Sequence, residues 1–264
     1  MINEVICVTH ELDLLEAHLI EHEAWVEKFF IKTCSVSWNR IPVAPIDWSR
    51  YSRFNIEVIE VPENFYTPIP DTYPSVDTYK WYRQMQTNRR KSKHYQWDRI
   101  AEGCDFILHT DVDEIIRDFP AVISNLEAVE YLAIKLSNHS QWVNFITKTF
   151  DLYRLTRSDL PYTENYKGRP RTATETTVGW HLSNCFKAPE DFRKKLLYAS
   201  ALPTFAGVNN VPTIEEIKET IQHGDRVYIQ EESGGNGEEE TLSSEDLSWA
   251  PKFVQENKGR FLWK

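Results

Sequence analysis

The chain has no C-x-x-C pair, no G-x-G-x-x-G turn, no excess of positive charge, no apolar run of membrane-spanning length and no internal repeat. Each absence removes a class of protein. Four scattered cysteines (Cys7, Cys34, Cys104 and Cys185) are too few to staple 264 residues. Cys7, Cys34 and Cys104 lie in or beside apolar runs and read as free thiols in a reducing compartment. Without the glycine fingerprint a dinucleotide cofactor is not indicated. A net charge of −10 argues against a broad nucleic-acid surface, which needs clustered lysine and arginine, although a local basic patch is compatible with it. The opening Met-Ile-Asn-Glu-Val-Ile-Cys-Val is too short and uncharged for a signal peptide, and no segment approaches a transmembrane helix. The expected location is the cytoplasm.

What is present is an ordinary globular composition, 41% apolar and 27% charged, enough for a sizeable core in one large domain or one domain with an appendage. The aromatic residues are expected mainly in that core, with some available to line a site for sugar rings or bases. The division expected is a domain over 1–228 and, over 229–264, an acidic Gly-, Ser- and Glu-rich loop followed by a tail whose aromatics dock on the body.

Val5-Ile-Cys-Val8 reads as a first strand, and Leu12, Leu15 and Leu19 as the apolar stripe of a following helix, with Glu16, His18 and Glu21 off it. Phe29–Thr33 and Ile56–Val61 read as further strands. Strand, helix and strand at this spacing predict a βαβ unit, a parallel sheet and an α/β fold. The first βα turn of such a sheet commonly faces a nucleotide, so His10 and Glu11 are candidates for base or ribose contact; Glu11 serves equally as a first-turn acid answering the helix dipole. Pro62–Pro74 is a proline-rich loop. A long helix is expected over 77–101, capped by Asp77 and carrying Arg89, Arg90, Lys91 and Lys93; Arg89 or Arg90 suits bidentate contact with a diphosphate. Phe119–Val129 reads as a helix, Tyr131–Leu136 as a strand, 151–171 as polar loop, Thr176–Ser183 as a short strand ending near His181, and Pro189–Ala199 as a helix. Thr213-Ile-Glu-Glu216 is a capping box that opens another helix.

The stretch that organises the rest is Phe106-Ile-Leu-His-Thr-Asp111-Val-Asp113-Glu114-Ile115. A short apolar run ends in two carboxylates one residue apart, which reads as a buried strand with both acids at its exit. In extended chain, residues i and i+2 point the same way, so Asp111 and Asp113 are expected to offer hard oxygen ligands on one side to Mn²⁺ or Mg²⁺. Glu114 crowds the pair further, and a cation relieves that repulsion. His181, from a distant strand, is the expected third ligand. The plainer alternative is that the aspartates cap a helix starting near Ile115.

Glu11-Leu-Asp-Leu-Leu-Glu16 after a first strand, then Asp111-Val-Asp-Glu-Ile115, then Gly179-Trp-His-Leu-Ser183 with a helix behind it, resembles the family 17 glycosyltransferases over roughly 2–225. The resemblance implies a GT-A fold, a Rossmann-like three-layer sandwich with a mostly parallel, mixed central sheet. It also implies a nucleotide-sugar donor, a UDP-sugar first among them, a divalent metal, and inversion at the sugar carbon. By it, Asp111 and Asp113 map to the metal-binding D-x-D, and His181 falls where such enzymes often supply a further ligand. This sequence lacks the anchor and cysteine-rich stem of the eukaryotic members, so a bacterial or phage enzyme acting in the cytoplasm is expected.

The reaction this predicts is metal-dependent transfer of a hexosyl or N-acetylhexosaminyl group to a glycan or other hydroxyl acceptor. An inverting transfer needs a carboxylate to take the acceptor proton. Glu175, Glu164 and Asp159 are candidates, with Glu175 preferred. Three other readings use the same residues. A phage-type transferase would act on a modified DNA base and use Arg89-Arg-Lys-Ser-Lys93 against phosphates. A haloacid-dehalogenase-type phosphatase would use the D-x-D as its nucleophile motif, but Ile115 stands at the Thr or Val position. A non-catalytic module would bind sugar or metal without turnover.

Overall fold

A computed structural model describes residues 1–38, 40–67, 78–125, 131–140, 143–160, 172–174, 176–183, 188–198, 212–222, 248 and 250–261. Alternating apolar residues in short runs form β1 (Ile2–Cys7), β2 (Lys28–Thr33), β3 (Ile56–Glu60) and β4 (Phe106–Asp111). These four pair in parallel in the order β3-β2-β1-β4. Beyond β4 the direction reverses at β7 (Val143–Arg157), followed by β6 (Tyr131–Ser140), β9 (Gly179–Ser183) and β5 (Glu114–Ile116), with β8 (Thr172–Ala173) beside β6. Five of the eight pairings are parallel, so the sheet is mixed but mostly parallel, and helices cover both of its faces.

The pleat sorts the side chains between those faces. Ile2, Ile6, Phe29, Ile31 and Leu108 pack with Leu14, Leu15 and Leu19 of α1 (Leu12–His22) in the main core. Val5, Phe30 and Ile107 point the other way, onto Trp97 and Ile100 of α3 (Trp97–Ala101). The chain is therefore an α/β protein, as the strand–helix–strand spacing requires.

Several elements differ from their sequence reading for identifiable reasons. The long helix expected over 77–101 is two, α2 (Thr78–His94) and α3, with Asp77 outside the described residues. The break falls at Gln96, whose φ of 55° is left-handed. There Lys32 reaches across from β2 and donates to the carbonyls of Lys93 (2.7 Å) and Tyr95, taking the acceptors a helix leaves at its end. The helix read from Phe119 ends within the described residues as α4 (Phe119–Ile123), and 126–130 lie outside them. No helix starts at Ile115; Glu114–Ile116 is strand β5. Asp151–Arg157, read as loop, continues β7. Its polar composition hid a strand whose partner, β6, carries the buried apolar residues Leu132, Ile134 and Leu136.

His18, read as lying off the apolar stripe of α1, is fully buried, as is His22. The capping box forms at α6 (Ile214–Gln222): Glu216 accepts the Thr213 N–H at 2.7 Å, and Thr213 accepts the Glu216 N–H at 3.2 Å. α5 (Pro189–Tyr198) packs on α6. Near the C-terminus, α7 (Lys252–Glu256) and α8 (Lys258–Phe261) bury Val254 and Phe261 in the main core beside α1. Among the described residues, no helix is long and apolar enough to cross a membrane.

Candidate functional site

In open α/β sheets ligands bind beyond the carboxyl ends of the parallel strands. β1 and β4 end level, with Cys7 opposite Asp111. The loop carrying Thr9, His10 and Glu11 therefore emerges beside the turn carrying Val112 and Asp113. β4 pairs with β7 only over Phe106–Leu108, so its second half has β1 alone as a strand neighbour.

Asp111 lies on the face shared with Ile107 and turns toward α2. Arg89 donates to its Oδ2, and the Lys93 ammonium lies 2.7 Å from Oδ1. Arg89 and Lys93 are four residues apart, one turn of the same helix face. The Arg89 guanidinium also stands 5.8 Å from the Trp38 ring centroid. Buried Asn88 fixes α2 to the loops after β2 and β3: it accepts the Thr67 N–H at 2.8 Å and donates to the carbonyls of Thr67 (3.1 Å) and Trp38 (3.4 Å). Arg90, expected to share the phosphate role, is exposed.

The chain leaves extended conformation at Val112–Asp113, so the strand alternation that would aim both aspartates one way does not reach Asp113. Asp113 meets a different set of partners. Lys195 of α5 places its ammonium 2.5 Å from Asp113 Oδ2 and 2.8 Å from Glu11 Oε1. His181 Nε2 is 3.8 Å from the same Oδ2. The β5–β9 ladder sets that approach: Glu114 is opposite His181, and the Leu182 N–H donates to the Asp113 carbonyl at 2.7 Å. Glu114, read as a third crowding acid, is buried and accepts the Asp111 N–H at 2.6 Å, which braces the turn from within.

The electrostatics follow from burial and these contacts. Burial works to raise the Asp113 pKa, but Lys195 and His181 more than offset it and hold the carboxyl well below the usual carboxylate range. Burial lifts Glu11, against the pull of Lys195. For Lys195, burial opposes charge, and Asp113 and Glu11 overcome it, so its pKa rises. His10 is pushed down to about 3, first by burial and then by Lys195, and so is neutral at pH 7. Its ring meets Tyr198 edge-on at 5.2 Å, while the Tyr198 hydroxyl donates to the Pro42 carbonyl at 3.4 Å. α5 is thereby tied to the loops after β1, β2 and β4 together.

Of the donors here, the carboxylates suit Mn²⁺ or Mg²⁺, whereas imidazole suits a transition-metal ion better than Mg²⁺. The 3.8 Å between Asp113 Oδ2 and His181 Nε2 falls between the cis and trans spans, roughly 3 and 4 Å, set by ligand distances near 2.1 Å. Asp111 does not complete a set of three: among the described residues the one trio of His, Cys, Asp or Glu with ligand atoms within 4.8 Å of one another is Glu4, His18 and His22. Asp113 and His181 are thus spaced as two ligands of one ion would be, with the Lys195 ammonium standing against the first of them.

The fold gathers His10, Glu11, Arg89, Asp111, Asp113 and His181 at one end of the sheet. Glu175 and Glu164 lie outside the described residues. Asp159 is at the opposite end: the neighbouring Ser158 N–H donates to the carbonyl of Asp105, just before β4 begins, and Asp159 itself is exposed and paired with Arg157 at 2.6 Å. It cannot serve as base to a group at Asp113. Lys93, read as part of a basic run, and Lys195 of α5 prove to be direct partners of the two aspartates. The buried Glu4–His18–His22 cluster was also missed. Its signal was present: a carboxylate inside an apolar strand and two histidines spaced i, i+4 on the helix that follows.

No protein-family model and no curated protein matches the chain. Among solved structures it is similar to an active-site mutant of LgtC, with 17% identity over 50% of this chain and 45% of that one and a TM-score of 0.30. It is also similar to residues 1–349 of S. aureus TarS, with 11% identity over 83% and 68% of the two chains and a TM-score of 0.37. The chain spans less than half of the LgtC chain it matches. Scores this low leave function to the chemistry of the site.

Proposed function

We propose that this chain is a glycosyltransferase of GT-A type that moves a sugar from a nucleotide donor, a UDP-sugar first among candidates, to a hydroxyl acceptor. One observation carries the reading. Asp111 and Asp113 stand at the carboxyl end of a buried strand, and Arg89, Lys93, Lys195 and His181 converge on them from three other elements. Such a mixture of anchored carboxylates and cations suits a ligand that is itself a diphosphate.

In this reading Asp113 and His181, with Asp111, hold the divalent ion. When bound, the ion supplies the positive charge that neutralises a departing diphosphate. Arg89 and Lys93, freed from Asp111, would hold diphosphate oxygens, and Trp38 beside Arg89 would offer an aromatic face to the base. Lys195 is a third cation, against Asp113 rather than Asp111. Glu175 is the proposed base for the acceptor proton. The domain proper is taken as 1–228.

The test is a thermal-shift screen of nucleotide sugars with and without Mn²⁺, followed by a donor-hydrolysis assay on Asp113→Asn. A ligand of the native state raises its melting temperature by mass action. The proposal expects a Mn²⁺-dependent rise with one class of nucleotide and a loss of hydrolysis of about 100-fold or more in the variant. Wild-type hydrolysis by a folded Asp113→Asn protein would overturn it.

A further inference from the structure

We propose that Glu4, His18, His22 and Thr110 form a buried positioning device beneath the aspartate turn, in which His18 is a doubly protonated imidazolium and His22 the neutral Nδ1–H tautomer. All four are shut off from solvent on the α1 face of the sheet. Hydrogen-bond chemistry fixes the protons. The backbone N–H of Ile116 donates to His22 Nε2 at 2.8 Å, so that nitrogen carries no hydrogen. His22 Nδ1 faces Glu4 Oε2 at 2.8 Å and must donate to it. His18 Nδ1 faces the Val112 carbonyl at 3.2 Å, which only accepts, and His18 Nε2 faces Glu4 Oε1 at 2.9 Å. That oxygen already accepts the Thr110 hydroxyl at 2.6 Å. Burial alone would raise the Glu4 pKa, but the two histidines hold it below the usual carboxylate range through the hydrogen bonds both donate and the one positive charge they carry between them, so Glu4 is an acceptor throughout. His18 therefore donates from both nitrogens.

The cluster is electrically balanced, one carboxylate against one imidazolium, which is the condition under which buried charge persists. Its contacts touch the chain at Thr110, Val112 and Ile116, which lie before, within and after the Asp111–Glu114 segment. α1 and β1 thus hold the turn from below while Lys93 and Lys195 hold its carboxylates from above.

A metal site is the rival reading, because the ligand atoms of Glu4, His18 and His22 lie within 4.8 Å of one another. The Ile116 N–H excludes it. If His22 bound a cation through Nδ1 while Nε2 still accepted that N–H, the ring would have lost both protons and become an imidazolate.

The importance of the device for catalysis rests on the function proposed above, whereas its proton arrangement and its hold on the turn do not, and the two are tested apart. Two-bond ¹H–¹⁵N correlation spectra of the full chain at pH 7.5 should show one buried histidine protonated on both nitrogens and one on Nδ1 alone, assigned with His18→Gln and His22→Gln. Amide exchange in the absence of ligand is the second measurement. His22→Leu should speed exchange at Val112–Ile116 by about tenfold or more relative to β2, and His22→Gln, whose amide can both donate and accept, should restore protection. A neutral His18, stoichiometric Zn²⁺ uptake by wild type that His22→Gln abolishes, or unchanged exchange in folded His22→Leu would each overturn the proposal. Failure of every nucleotide to bind wild type would sink the glycosyltransferase reading and leave these results standing.

Discussion

The Lys195 ammonium lies 2.5 Å from Oδ2 of Asp113, in the space where a metal ligated by that aspartate would sit. The chain supplies its own cation to the site, and the divalent ion proposed above would have to compete with it. Lys195→Met leaves Asp113 and Glu11 as two buried carboxylates without their counter-charge. Removing one partner of a buried ion pair costs roughly 3–5 kcal/mol. The variant should melt well below wild type in EDTA and recover more on adding Mn²⁺ than wild type gains. Differential scanning fluorimetry with and without Mn²⁺ measures both effects.

Gly179 is the pivot of the His181 approach. A Cβ there would stand 2.1 Å from the Ile115 carbonyl oxygen and 2.8 Å from the Ile116 Cα, both of the neighbouring strand's backbone. Neither can withdraw without unpairing β5 from β9. Gly179→Ala should cost about 3 kcal/mol, the upper end for overpacking or beyond it. It should also move His181 from Asp113, which a weaker Mn²⁺ affinity by calorimetry would register.

Acid should weaken the fold through buried His22 and Glu4. Burial brings the His22 pKa from 6.5 down to about 4. Between those values the unfolded chain takes up a proton that the folded chain refuses, so stability is lost as pH falls through that window. Glu4 acts in the same sense lower down: its folded pKa is depressed, so the stability it contributes is present above the ordinary carboxylate value and is lost in acid. Urea midpoints should fall from pH 7 to pH 5, and less steeply in His22→Gln.

Two neighbouring residues of α8 separate packing from surface charge. Phe261 is fully buried in the main core, and Phe261→Ala should cost about 3–5 kcal/mol. Arg260 reaches Asp13 and Glu16 on α1, but all three side chains are part-exposed. Arg260→Ala should cost no more than about 1 kcal/mol. Chemical denaturation of the pair checks the order, and a larger loss for Arg260→Ala would mean that charge rather than packing docks this segment.

The parallel half of the sheet was legible because β1, β2 and β4 are short apolar runs bounded by polar residues, and because Leu15 and Leu19 mark a helix between them. Of the candidate site, the sequence marked where Asp111 and Asp113 stand, at the exit of a buried strand, but not how they face, because the chain turns at Val112 and Asp113. What lay hidden was whatever depends on meeting another element. Lys195 is indistinguishable in sequence from Lys194, which is exposed and pairs with Asp191 on its own helix. Only the seating of α5 over Glu11 and Asp113 separates them. His18 and His22 hid because a polar residue on an apolar stripe counts against the stripe, unless a buried partner such as Glu4 is known. The break at Gln96 depended on Lys32, more than sixty residues earlier in the chain.

Asp111 closes β4 and Glu114 opens β5 with only two residues between, yet β7, β6 and β9 stand between those strands in the hydrogen-bonded order. Val112 and Asp113 therefore work as a buckle that draws the far edge of the sheet back to its middle. A chain in which only the parallel half has formed has the aspartates but not the clasp that gives them shape. If the proposed ligand binds at this turn, its affinity would for that reason gauge whether both halves of the molecule have come together.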